Sequence, residues 1–167
     1  SLYAGMAFLL LLGMAFYNLI IKKYRLKIMA QLKQVRYTVV HCSATAEGKH
    51  FTAADIDRWH KAQGWSGIGY HYVVLLDGTV QQGRPETEQG AHVAGYNDKS
   101  IGVCYIGGVA VDGKTPKDTR TDAQKAALVS LLQRLHRKYP KAHIVGHRNL
   151  ASKACPSFDA QAEYEHI

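Results

Sequence analysis

The sequence predicts a mixed α/β fold, with a central mixed β-sheet flanked by helices and an apolar helix at the N-terminus. From Val35 onward, apolar β-branched runs alternate with segments of helical periodicity, which is typical of a sheet with helices packed on its faces. Asp77-Gly78 lies between two such runs and indicates a tight hairpin. Residues 1–21 contain no charged side chain and form a separate apolar run.

The N-terminal run has the length of a membrane span. As a helix, residues 1–21 would reach roughly 31 Å, close to the hydrocarbon thickness of a bilayer. A buried core helix would normally show a polar face, and this run has none. We therefore predict a hydrophobic transmembrane helix with a basic flank at residues 1–28 and a folded domain at residues 29–167. Met29 could also start a complete soluble protein without that helix.

The elements of the folded domain follow in order. Residues 35–41 (VRYTVVH) predict a central strand, and Thr52 can cap a helix that reaches Gln63. Residues 70–76 and 79–83 predict the two strands of the hairpin. A further strand is predicted at 100–107, a helix from Thr121 to Lys138 with a capping box and a leucine stripe, and a last short strand at 142–147.

Composition excludes two classes of protein. The formal charge is +8, but a basic cluster between Lys22 and Arg36 precedes the first acidic residue, Glu47. This cluster explains the charge better than a nucleic-acid-binding face does, so we predict no nucleic-acid partner. The cysteines number three, which excludes a complete disulfide framework. Cys42 and Cys104 lie in apolar runs and are expected to be buried thiols.

Three residues could form a metal site. His41 ends the first predicted strand, His147 follows the last one, and Cys155 comes eight positions later in a loop. Two imidazoles and one thiolate give zinc three protein ligands and leave a fourth position for water, which is the catalytic arrangement. The chain has nine histidines, so this spacing alone also fits ordinary buried residues.

A set of motifs in a fixed order resembles one enzyme family. The chain contains VVHCSAT, WHKAQGW, GYHYVV, DGTVQQGR, GAHVAGYN, SIGVCYIGG and KACPSFD. Together they closely resemble the zinc-dependent N-acetylmuramoyl-L-alanine amidases, especially the small phage endolysins; peptidoglycan recognition proteins are more distant members. The resemblance runs from about Val35 to Asp159. It implies a mixed sheet flanked by helices and an open groove for the peptidoglycan stem.

The resemblance also implies the residues of the site. It assigns the zinc ligands to His41, His147 and Cys155 and catalytic roles to Tyr70 and Lys153. The implied reaction is hydrolysis of the amide bond between N-acetylmuramic acid and L-alanine by a zinc-activated water. Lys153 can place a positive charge beside the oxyanion, and Tyr70 can hydrogen-bond at the attacking water or the carbonyl.

The loop that borders the groove in this family contains His92 and Asn97, which we predict to contact substrate. One position departs from the pattern. Some relatives have a glutamate general base where this chain has Cys104, so proton handling is expected to fall to Tyr70 and Lys153. His71 should point to the opposite side of its strand from Tyr70 and serve a structural role.

Other functions and locations stay open at this stage. The alternatives are a non-catalytic peptidoglycan-binding recognition module and a structural zinc domain, which would need a fourth protein ligand. The expected partner is bacterial peptidoglycan, and we predict a monomer with possible membrane anchoring through residues 1–21. The protein would be membrane-associated through that helix, or cytoplasmic until lysis if it is phage-derived, and it would act on the cell wall.

Overall fold

The computed structural model of the chain describes residue 14, residues 16–22 and residues 34–167. The chain divides into two units, Ser1–Gln31 and Leu32–Ile167. In the first unit the described residues are helical. The predicted membrane span over residues 1–21 lies mostly outside the described residues. Within the ranges that are described, no helix has both the length and the apolar character needed to cross a membrane.

The second unit is built on a mixed sheet. Its strands are β1 (Tyr37–Cys42), β2 (Thr45–Ala46), β3 (Tyr72–Val74), β4 (Val80–Gln82), β5 (Ser100–Tyr105), β6 (Gly108–Val109) and β7 (His143–Gly146). Five of them form a sheet in the order β4-β3-β5-β1-β7, and β2 pairs with β6 separately. Strand β1 runs parallel to β5 and β7, β3 runs parallel to β5, and β4 is antiparallel to β3. The predicted mixed sheet with a hairpin is therefore confirmed.

Three helices accompany the sheet: α1 (Ala53–Ala62), α2 (Asp122–Lys138) and α3 (Ala160–Glu163). Helix α1 begins at the N-cap Thr52, whose side chain accepts a hydrogen bond from the backbone N–H of Asp55. Helix α2 begins with the predicted capping box of Thr121 and Gln124. Thr52 and Asp55 likewise form a capping box at α1. Each box satisfies backbone donors at the start of its helix, which explains why the helices begin where they do.

The two longer helices cover opposite faces of the sheet. Alternate residues of β1 point to opposite faces. Val40 and Cys42 join the leucine side of α2 in one core cluster. The opposite face packs against Ile56 of α1 in a second cluster that includes Cys104. His41 pairs with Cys104 in register, so the two side chains share the α1 face. This arrangement places His41 at the carboxyl end of a central strand, on the α1 side.

Candidate active site

Strand β1 fixes the position of His41. The residue is 1% exposed, so its imidazole is enclosed by protein. Its Nε2 atom lies 2.9 Å from Nδ1 of His92. Its other nitrogen, Nδ1, lies 3.7 Å from Sγ of Cys155. One ring nitrogen is thus engaged by a neighbouring histidine, and the other faces a thiol.

Strand β7 brings His147 to the same edge of the sheet. Because β7 is parallel to β1, with Gly146 opposite Val40, the residues that follow this pair lie at neighbouring strand ends. His147 opens a single 3-10 turn. The Asn149 side chain closes this turn by accepting a hydrogen bond of 2.8 Å from the backbone N–H of Gly146. The ring centroids of His41 and His147 are 4.7 Å apart.

Hydrogen bonds tie the loop that contains Cys155 to the His147 turn, to β5 and to β1. The backbone N–H of Arg148 donates to the carbonyl of Cys155 at 2.8 Å, which links this loop to the His147 turn. The Tyr105 hydroxyl donates to the carbonyl of Pro156 at 2.7 Å. The backbone N–H of Cys42 points at Sγ of Cys155 from 3.3 Å. Cys155 is therefore held against the end of β1 by backbone contacts.

The donor atoms of His41, His147 and Cys155 form one cluster. These atoms all lie within 4.8 Å of one another, and the group has three members among the residues that the structure describes. Tetrahedral zinc, with bonds of ~2.0–2.1 Å to nitrogen and ~2.3 Å to sulfur, separates neighbouring N and S ligand atoms by about 3.5 Å. The observed 3.7 Å between Nδ1 and Sγ fits that spacing. Two imidazoles and a thiolate also suit zinc chemically.

The protonation states of the cluster favour metal binding by the imidazoles. Burial, with His92 and His147 close by, holds the pKa of His41 well below its ordinary value. Burial and the positive charge of Lys153 lower the pKa of His147. Both rings are therefore neutral at pH 7 and retain a lone pair for a metal. A hydrogen bond with Cys42 and burial raise the pKa of the Cys155 thiol, so a metal must displace its proton.

Tyr70 and Lys153 lie next to this cluster. The Tyr70 ring centroid is 5.1 Å from that of His41. Burial, with the neighbouring Cys104 thiol, holds the pKa of Tyr70 well above its ordinary value, so its hydroxyl stays protonated at neutral pH. Lys153 is exposed, and its charge acts on His147. Tyr70 thus offers a protonated hydroxyl beside the cluster, and Lys153 offers an exposed cation.

His92 and Asn97 make hydrogen bonds within the protein. Their contact with substrate stays a prediction. His92 is 9% exposed and bonds to His41. The Asn97 side-chain oxygen accepts hydrogen bonds from the backbone N–H groups of His92 at 2.8 Å and Val93 at 2.9 Å. The contact between His92 and His41 could not be predicted from the sequence, because the two residues are 51 positions apart along the chain.

His71 and Cys104 lie behind the site. His71 is fully buried; its Nδ1 accepts from the backbone N–H of Gly102 at 3.0 Å, and its Nε2 lies 2.9 Å from the carbonyl of Glu88. These bonds support the predicted structural role, which stays a prediction. Cys104 is also fully buried, and burial raises its pKa well above the ordinary value. A neutral buried thiol cannot replace a glutamate base, in agreement with the expectation.

Comparison with known proteins points to one family. The sequence profile of the family described as N-acetylmuramoyl-L-alanine amidase matches residues 31–158. The endolysin of Enterobacteria phage K11 is 47% identical over 122 residues, which cover 73% of this chain and 80% of that protein. The endolysin of Escherichia phage T7 is 46% identical over 126 residues, covering 75% and 83%. The solved structure of the N-acetylmuramoyl-L-alanine amidase LysC from Clostridium intestinale superposes with a TM-score of 0.65 at 30% identity, covering 78% of this chain and 81% of that one. The matched region includes every residue of the cluster.

Proposed function

The chain belongs to the N-acetylmuramoyl-L-alanine amidase family, and we propose that it works with a zinc ion held by His41, His147 and Cys155. The family consists of peptidoglycan hydrolases that cleave the amide between N-acetylmuramic acid and L-alanine. The proposed zinc ion would serve this hydrolysis. The observation that carries the proposal is the convergence of three donor atoms within 4.8 Å. A structural zinc site would use a fourth protein ligand, and the described residues supply three.

Two of the three proposed ligands, His41 and Cys155, have a neighbour that supports metal binding. His41 would bind through Nδ1, since its Nε2 is engaged by His92. The backbone N–H of Cys42 would stabilise the Cys155 thiolate. Zinc bound there would supply an activated water as the nucleophile and a Lewis acid for the carbonyl oxygen.

Tyr70 and Lys153 would handle charge and protons around the scissile amide. The Tyr70 hydroxyl stays protonated, so it would donate a hydrogen bond to the carbonyl oxygen as negative charge develops there. The Lys153 ammonium would stabilise the same charge from the solvent side and can deliver a proton to the departing amine. Asn97, and His92 through the 9% of its surface that is exposed, would contact the stem peptide where the groove borders their loop.

Product analysis tests this function against the alternative of a non-catalytic binding module. The zinc-loaded protein is incubated with purified disaccharide peptides and with intact cell walls. We expect free stem peptides with a new L-alanine amino group, identified by mass, and loss of wall turbidity. A protein that binds zinc and pellets with the walls without releasing amino groups would be a recognition module.

We also propose that residues 29–167 contain everything that hydrolysis requires and act as a monomer, with residues 1–28 as a separable membrane anchor. All residues of the proposed site lie between His41 and Cys155. A 29–167 version of the protein should therefore be soluble, elute as a monomer and hydrolyse peptidoglycan at the rate of the full chain. The two versions are expressed side by side, and protease accessibility of the full chain is measured in spheroplasts. An insoluble or inactive 29–167 version beside an active full chain would show that the N-terminal segment belongs to the fold.

A further inference from the structure

A buried series of side-chain hydrogen bonds leads from His41 through His92 to Ser100. His41 Nε2 lies 2.9 Å from His92 Nδ1, and His92 Nε2 lies 3.3 Å from the hydroxyl oxygen of Ser100. The Ser100 hydroxyl donates to the backbone carbonyl of Tyr96 at 2.8 Å. His41, His92 and Ser100 are 1%, 9% and 0% exposed. These three side chains are thus shielded from solvent.

The Tyr96 carbonyl, which is the last acceptor in this series of hydrogen bonds, determines where the protons of Ser100, His92 and His41 lie. The Ser100 hydroxyl has a single proton, and the Tyr96 carbonyl at 2.8 Å is a nearer acceptor for it than His92 Nε2 at 3.3 Å. Ser100 therefore donates to Tyr96 and accepts a hydrogen bond from Nε2–H of His92. A neutral imidazole has one N–H, so Nδ1 of His92 is an acceptor, and Nε2 of His41 must donate to it. The lone pair of His41 is then on Nδ1, the atom that faces Cys155.

The packing around His92 leaves its ring one position. A methyl group at Gly102 would lie 2.7 Å from Cγ of His92, and one at Gly90 would lie 2.5 Å from Cδ2. Real Cβ atoms essentially never come so close, so the ring occupies space that only glycine leaves open at these two positions. Asn97 holds the backbone of His92 from the other side. The ring is therefore seated in a slot between two glycines.

We propose that His92 and Ser100 are positioning residues that set the Nε2–H tautomer of His41 and present its Nδ1 lone pair to the metal. The inference rests on the proposed zinc site. In the opposite tautomer a proton would occupy Nδ1, and the ring could not bind a metal through that atom. Partners of metal-binding histidines act in this way in other proteins, and their loss typically weakens metal binding 10- to 100-fold.

The first test reads the tautomer directly in the metal-free protein. Long-range ¹H–¹⁵N NMR correlation of the histidine rings distinguishes a protonated from an unprotonated ring nitrogen. We expect the proton on Nε2 in both His41 and His92. A proton on Nδ1 of His41 would overturn the proposal. This readout needs neither zinc nor hydrolysis, so it decides the positioning role even if the proposed function fails.

The second test compares Ser100→Ala with Ser130→Ala, which removes an exposed hydroxyl from α2. Zinc affinity is measured by competition with a chromophoric chelator, alongside the same NMR experiment. Ser100→Ala should weaken zinc binding about 10-fold or more and leave His41 with a mixture of tautomers. Ser130→Ala should change neither. If Ser100→Ala keeps wild-type zinc affinity and His41 keeps its proton on Nε2, the positioning role is wrong.

Discussion

Replacing Cys155 with alanine should abolish both stoichiometric zinc binding and hydrolysis of peptidoglycan. Cys155 supplies the one thiolate of the proposed site, and its Sγ lies 3.7 Å from Nδ1 of His41. Without it, two imidazoles remain, which is too few protein ligands for a catalytic zinc site. The variant should still fold, because Cys155 lies in a loop and is one of several partly buried residues that pack against the main core cluster.

The matched control is Cys104→Ala, which removes another thiol. Cys104 is fully buried in β5, and its side chain is outside the donor cluster. This variant should lose some stability but keep one zinc per chain and measurable hydrolysis. Zinc is measured by atomic absorption, and hydrolysis by turbidity loss of purified walls. Hydrolysis at the wild-type rate by Cys155→Ala after exhaustive chelation would exclude the zinc mechanism.

The parts of the fold with strong local signals could be predicted from the sequence. Helix α2 has a capping box at its start and a leucine stripe along one side, and it runs from Asp122 to Lys138, close to its prediction. Strands β2 and β6 were missed because each has two residues, too few to show a periodicity. Their pairing depends on a bend at Gly107 and Gly108, which have φ angles of +133° and +101°.

The site illustrates a different limit. His41, His147 and Cys155 could be proposed through the ordered motifs, whereas nine histidines made spacing alone ambiguous. Ser100 gave no signal, because a serine at the start of a strand has many possible partners. Its role depends on how closely the loop after Gly90 approaches β5, and tertiary packing determines that distance. The proposed metal ligands could be predicted from sequence motifs, whereas the residues proposed to orient His41 could be identified only in the folded structure.

Tyr70→Phe and Lys153→Ala should separate catalysis from metal binding. Neither residue is a proposed ligand, so both variants should retain one zinc per chain. Tyr70→Phe removes only the hydroxyl and keeps the ring beside His41. Lys153 is exposed, so its truncation should cost little stability. We expect each variant to lose activity on the order of 10²-fold or more, mainly in kcat, because the lost interactions strengthen as charge develops on the carbonyl oxygen.

Matched controls make this comparison decisive. Tyr37→Phe removes a hydroxyl at the other end of β1, and Lys141→Ala removes an exposed ammonium that precedes β7. Both should keep wild-type kcat and zinc content. Lys153→Arg preserves the positive charge, so it should recover part of the activity if the charge acts electrostatically. It should recover less activity if the lysine must also release a proton, because a guanidinium does not deprotonate. Steady-state kinetics on a soluble muropeptide measure all of these variants under one condition. Wild-type kcat in Lys153→Ala would show that the lysine takes no part in the reaction. Wild-type kcat in Tyr70→Phe would show that the tyrosine hydroxyl serves packing rather than chemistry.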